Sequence, residues 1–210
     1  MYKPKHFEQR DIEAMRKLIA ASPLATFILA DEQELIANHI PFVLRSGESH
    51  EMQLIAHIPR ANPLSETLKN AKNCLAIFHG PDGYVSPSYY ATKPLHGKVV
   101  PTWNYSVVHV HGVAELVDDP NWVREQIELL TNLHEATRSF PWSVSDAPPD
   151  FVESLVKALV GIEISVDRFE GKTKASQNQP EANQRSVLES IERDYPDSNF
   201  ARLMHSVLDR

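Results

Sequence analysis

The residues with the most chemistry to offer lie in Val100-Pro101-Thr102-Trp103-Asn104-Tyr105, which runs straight into the alternating segment Ser106-Val107-Val108-His109-Val110-His111-Gly112. Proline fixes φ and carries no N–H, so it stops what precedes it, and the aromatic and β-branched residues that follow favour a strand. Trp103, Asn104 and Tyr105 then sit at the mouth of that strand. Two large rings flanking an amide can hold a flat heteroaromatic ligand by stacking and by hydrogen bonds to its edge. The plainer use of Trp103 and Tyr105 is as core residues.

Three further clusters place polar groups beside Pro or Gly at strand ends. In Ala56-His57-Ile58-Pro59-Arg60-Ala61-Asn62-Pro63, a basic pair precedes a helix start, where free N–H groups and the helix dipole add to Arg60 and His57 in favouring an anion. The second runs from Phe78 to Tyr90 and holds Ser86, Ser88 and Tyr89. The third is Lys172-Thr173-Lys174-Ala175-Ser176-Gln177-Asn178. Together these stretches supply donors for a phosphate, rings for stacking and amides for the edge of a heterocycle.

Other constellations carry less. His109 and His111 are two apart on one face of a strand, a spacing able to bind a metal, but no carboxylate or cysteine accompanies them at a suggestive interval, which favours buried or interface histidines. Cys74 lies in an apolar run and reads as core. There is no nucleophile triad, carboxylate pair, phosphate-binding Walker loop or dinucleotide fingerprint.

The elements that must position these groups follow from periodicity. Ile12, Met15, Leu18 and Ile19 recur at helical spacing, predicting a helix over residues 8–21 that ends at Ser22-Pro23. Strands are expected over 24–30, 34–44 and 52–58, with turns at 31–33 and 45–50. Asn62-Pro63 opens a short helix reaching about Lys72. Cys74 to Phe78 is a strand, Gly80-Pro81-Asp82-Gly83 a turn, and Tyr84-Val85-Ser86 a strand. The connection from Ser88 to Val100 is long enough to suggest function or an interface, and the strand after it extends to about Val117. Asp118-Asp119-Pro120 starts a helix, and another follows Pro148-Pro149 until Gly161. Residues 162–167 alternate as a strand, and two helices divided by 194–198 form the tail. The class is α+β with a mostly antiparallel sheet, for which a barrel is the natural closure.

Composition sets bounds. The chain has 210 residues, 42% of them hydrophobic, and a formal net charge of -7. That suits a globular protein with a real core. No apolar run approaches the ~20 residues of a membrane helix, and no signal-peptide pattern opens the chain, so a cytoplasmic location is expected. The lone cysteine fits a reducing compartment. An acidic chain is a poor general partner for nucleic acid, because phosphate contacts need clustered Lys and Arg. The tail mixes Arg185, Arg193 and Arg202 with Glu189, Glu192, Asp194 and Asp197, a face better suited to dimer packing than to DNA.

These motifs give the chain a wider likeness. It resembles the FMN-binding negative transcriptional regulators of the PaiB type, which share the split β-barrel of pyridoxine-phosphate oxidase. The likeness rests on the Met1-Tyr2 to Phe7 start, on His39-Ile40-Pro41-Phe42 and on the four clusters in the same order, with Pro101 to Tyr105 and Ser176-Gln177-Asn178 the most specific. Gly83 stands where alanine is expected, and Ala175 where leucine is expected. The resemblance implies an antiparallel split barrel with peripheral helices, residues 1–178 forming the FMN-binding domain and 179–210 a helical extension packed on it or on a partner subunit. It also implies a homodimer with FMN at the interface. His57, Arg60 and Asn62, with Lys174 and Ser176, are the phosphate candidates. Trp103, Asn104 and Tyr105 are the ring candidates, with Ser86, Ser88, Tyr89 and Gln177 nearby. A DNA target follows from the family's name, against the acidic composition. The alternatives are a flavin-dependent oxidoreductase, and a haem-binding member of the same fold group with His79 or His111 as axial ligand.

Overall fold

The computed structural model describes residues 1–30, 34–47, 51–70 and 72–208. The turn expected at 31–33, the end of the turn at 45–50, and residue 71 in the short helix lie outside the described residues. The strands are β1 (Glu8–Gln9), β2 (Leu24–Ala30), β3 (Leu35–Pro41), β4 (Val43–Ser46), β5 (Met52–Pro59), β6 (Asn73–Val85), β7 (Thr102–Val117) and β8 (Leu159–Lys174). They hydrogen-bond in the order β3-β2-β6-β7-β8-β5-β4, with β1 added to β8, and the pairings of β2 with β3, β2 with β6, β4 with β5, β5 with β8 and β1 with β8 are antiparallel. The helices are α1 (Ile12–Ala21), α2 (Leu64–Thr67), α3 (Lys93–His96), α4 (Pro120–Glu135), α5 (Pro149–Lys157), α6 (Glu181–Asp194) and α7 (Asn199–Leu208). Among the described residues, no helix is long and apolar enough to cross a membrane. The α+β class and the antiparallel sheet are as the sequence led one to expect.

The contacts divide the chain into two compact units, and β6, β7 and β8 each contribute to both. One unit comprises residues 22–78 and 110–169. Here β2 buries Ala25, Phe27 and Leu29 at alternate positions, the pattern of a half-buried strand. Phe27 packs its ring 5.6 Å from that of Phe42. Each such buried ring or aliphatic chain stabilises the fold by about 1.5–3 kcal/mol. β5 is paired along both edges, by β4 and β8, and the consecutive burial of Leu54, Ile55 and Ala56, with Ile58, shows that both its faces are covered. On α4, Asp119 caps the first turn by accepting from the Asn121 N–H at 2.8 Å, with Pro120 in the first turn, as Asp118-Asp119-Pro120 predicts. Val123, Val144, Val152 and Val156 then pack with Trp122 in a separate apolar cluster.

The other unit comprises residues 1–21, 79–109 and 170–210. Met15 and Ile19 are the buried stripe of α1. The helices α6 and α7 supply Val187, Ile191, Phe200, Ala201 and Met204 to one core with Val85, Tyr90 and Ala175.

Several elements differ from their sequence reading, each for a local reason. The first helix begins at Ile12, because Glu8 and Gln9 pair with Lys172 and Gly171 of β8 and the Asp11 carboxylate caps the Glu13 N–H at 2.9 Å. The expected strand 34–44 is broken at Phe42, whose N–H leaves the ladder to bond the Pro23 carbonyl at 3.0 Å. Gly80-Pro81-Asp82-Gly83 is no turn: β6 runs through it without interruption. A Cβ on Gly80 would come within 2.5 Å of Ser106 Oγ, and one on Gly83 within 2.2 Å of the Phe200 ring. These glycines serve close approach, not chain reversal. Gly83 admits Phe200 of α7, and Ala175 lies in the core cluster with Phe200, Ala201 and Met204. Likewise α5 ends at Lys157, and Gly161 belongs to β8, where a Cβ would meet the Trp122 ring at 2.3 Å.

Candidate functional site

In the unit that holds α6 and α7, the start of β7, the end of β8 and the segment from Tyr90 to Val100 enclose a cleft of about 420 Å³. This is the size of a small-molecule site. Its charged and polar lining is Thr92, His96, Lys98, Thr102, Asn104, Lys174, Ser176, Asn178, Gln179 and Asn183, with Phe7, Tyr90, Val99, Val100 and Pro180 as apolar wall. Among the described residues, no aspartate or glutamate lines it. A carboxylate-free cleft with lysines and hydroxyls, on a chain of net charge -7, is suited to an anion.

Local structure explains each wall. Lys174, the last residue of β8, donates from Nζ to Thr102 Oγ1 and, at 2.9 Å, to the Trp103 carbonyl. Burial, with the neighbouring charge of Lys172, lowers its pKa from the ordinary lysine value. Both effects oppose the cation, and a bound anion offsets them by favouring the charged form. After Lys174 the chain turns at Ser176, which is buried and has φ 61°. Gln177 holds that turn with its amide, accepting from the Ala175 N–H and donating to the Thr173 carbonyl, both at 2.6 Å. The opposite wall is tied to α6. The Ala91 N–H donates to Ser186 Oγ and the Thr92 N–H to Asn183 Oδ1, while Tyr89 donates its hydroxyl to Asp194 at 2.6 Å. That last bond is the main reason the Tyr89 hydroxyl is pushed up to about 12, so it stays a donor.

Asn104 is the deepest polar group of the cleft, with no exposed surface. Its Nδ2 donates to Ser176 Oγ at 2.8 Å and to Met204 Sδ at 3.3 Å. Its Oδ1 is buried with no hydrogen-bond partner among the described residues. Such an orphaned acceptor is uncommon in folded proteins and points to a ligand group that donates.

The other sequence candidates are distributed around this cleft or away from it. Alternation along β7 puts Thr102 and Asn104 on one face and Trp103 and Tyr105 on the other. Trp103 is 56% exposed and meets Tyr84 edge-on, with centroids 6.0 Å apart. The Tyr105 ring lies 5.2 Å from Lys172 Nζ. Ser86 caps the turn Pro87–Tyr89, its Oγ accepting from the Ser88 N–H at 3.2 Å. His57, Arg60 and Asn62 belong to the other unit and are engaged there. His57 Nδ1 meets Gln126 Oε1 at 2.5 Å. Arg60 pairs with Asp118 and donates to the Lys157 carbonyl at 3.0 Å. Their mutual bond raises the Arg60 pKa and lowers that of Asp118. Asn62 caps α2 by accepting from the Leu64 N–H at 3.0 Å. An anion at Arg60 has to compete with a carboxylate; an anion at Lys174 does not. This shifts the weight of the phosphate assignment to Lys174 and Lys98.

The cleft also holds Tyr90, Thr92, Lys98, Thr102 and Asn183, none of them among the site candidates drawn from the sequence. Thr102 stands in the motif itself and was legible by alternation with Asn104. Nothing in the sequence links Asn183 to residue 92. Cys74, by contrast, is buried as expected. Its thiol donates to the Gly112 carbonyl at 3.3 Å and, mainly through burial, is pushed up to about 12. A thiol reagent at neutral pH is therefore expected to leave the native protein unlabelled and to label it fully in denaturant, as followed by mass spectrometry.

Residues 1–168 match the family described as "Putative FMN-binding domain". The chain belongs to this FMN-binding family. Its cofactor is FMN, and the anion-accepting cleft with its unmatched acceptor fits that group. Among curated relatives, an uncharacterized protein of Emericella nidulans, AN0679, is 33% identical over 91% of this chain and 90% of its own length. The Bacillus subtilis protein named Protease synthase and sporulation protein PAI 2 is 28% identical over 91% of this chain and 89% of its own. The FAD and haem binding protein of Mycobacterium smegmatis has the same fold at 17% identity, with a TM-score of 0.55 over 80% of this chain and 73% of that one. The fold is the antiparallel split barrel that the sequence resemblance implies. The family match ends at residue 168, so the wall formed by Lys174 to Asn183 lies beyond it.

Proposed function

We propose that this protein is a cytoplasmic, homodimeric regulator of the PaiB type that binds FMN in the cleft of Lys98, Asn104 and Lys174 and represses target genes. The observation that carries the reading is a cleft lined by two lysines and by hydroxyls, with no carboxylate among the described residues. FMN fills it with a phosphate for the lysines, donors for Asn104 and a flat apolar ring. FMN supplies redox chemistry when bound; the residues described here bind and orient it. Exposed Trp103, Tyr84, Leu95 and Val100 offer the same unit an apolar surface for a second copy.

Quenching of FMN fluorescence on titration with the protein tests the cofactor. Saturable quenching with one flavin per chain is expected, and no quenching sinks the reading. The regulatory half is tested separately, by salt-dependent retention of the gene's own promoter fragment with and without FMN. Oxidation of NAD(P)H by the FMN-loaded protein, with no retention of DNA, would replace the regulator by an oxidoreductase.

A further inference from the structure

We infer that Asn104 is a specificity-determining residue that accepts a hydrogen bond from a hydroxyl next to the ligand's anionic group, so that the cleft selects a phosphorylated polyol chain over a bare phosphate or a bare ring. The inference rests on the FMN reading and deepens it. The amide orientation is set by its neighbours. Met204 sulfur can only accept, so the side of the amide facing it must be Nδ2, which also reaches Ser176 Oγ. That leaves Oδ1 as the atom without a partner, at a side chain with no exposed surface that lines the cleft. A carbonyl oxygen accepts and never donates, so a phosphate dianion cannot satisfy it; the matching group must carry an O–H or N–H.

The position of that donor follows from Lys174. Its Nζ bonds the Thr102 hydroxyl and the Trp103 carbonyl, two and one residues before Asn104. The anion and the donor are therefore read side by side, within a few covalent bonds of each other on the ligand. In FMN the groups that meet this condition are the ribityl hydroxyls beside the 5′-phosphate. The ring N–H lies at the far end of the molecule.

The test compares FMN with a flavin whose ribityl phosphate is replaced by a 5-phosphopentyl chain, which keeps ring, charge and length but has no hydroxyls. Wild-type protein is expected to bind the analogue about tenfold more weakly, because a buried acceptor then stays unmatched. In Asn104→Leu, which keeps the branched shape and removes the acceptor, the two ligands are expected to bind alike. Equal binding of both by the wild type overturns the inference, and so does undiminished discrimination by Asn104→Leu. If the leucine variant is too unstable to titrate, the wild-type comparison with Asn104→Val as second variant decides in the same way. Failure of FMN itself to bind overturns the underlying reading instead.

Discussion

Gly112→Ala is expected to cost about 3 kcal/mol of stability, the upper end for overpacking a core. A Cβ at this position would lie 2.2 Å from the Ser165 carbonyl oxygen and 2.8 Å from Ile164 Cγ2. The first of these is backbone and cannot swing aside, so β7 and β8 must separate locally. The same residue's carbonyl accepts the Cys74 thiol, so its displacement also frees that buried group. For a chain of this size the loss corresponds to a fall in melting temperature of about 10 °C. Calorimetry checks it. A variant within a degree or two of wild type would mean that the strands have room the glycine does not reveal.

Lys174→Met is expected to weaken FMN binding about 30-fold, the equivalent of about 2 kcal/mol for losing one partner of a partly buried charge pair. Methionine keeps an unbranched side chain of similar length while removing the charge, including the ammonium that lies 5.9 Å from the Phe7 ring. The sign of the pH dependence follows from the same group. Burial and Lys172 depress the Lys174 pKa when no ligand is present, and a bound phosphate raises it again. Binding therefore takes up a proton at this site, and affinity should fall as pH rises through the depressed lysine value. In Lys174→Met that fall should be absent. Affinity should also decline with added salt less steeply in the variant than in the wild type, since one phosphate contact is gone.

The sequence exposed this fold where local chemistry and tertiary packing agree. Asp119 and Pro120 start α4 as their types require, and β2 keeps the strict alternation that Ala25, Phe27 and Leu29 display. It misled where a residue answers to a distant neighbour. Gly80 and Gly83 have turn chemistry, yet they lie inside β6 because Leu18, Ser106 and Phe200 come too close for side chains. The site was half legible for a similar reason. Trp103, Asn104 and Tyr105 are adjacent in the chain and read as one shelf, but the period of a strand sends Asn104 into the cleft and the two rings to the other face. Arg60 has the right charge before a helix start, and only the structure reveals that Asp118 already holds it. Asn183 reaches the cleft through α6: the helix and its apolar Val187 and Ile191 are legible in the segment itself, but the bond from Asn183 to the Thr92 N–H is not.

The most direct test of the cleft as the FMN site is one set of fluorescence titrations on wild type, Lys174→Met and Arg60→Met, each first confirmed folded by its melting curve. The cleft assignment predicts tight binding by wild type, about 30-fold weaker binding by Lys174→Met, and a change of no more than about threefold for Arg60→Met. Full affinity in Lys174→Met together with a large loss in Arg60→Met would contradict it and return the phosphate to the helix start at Asn62.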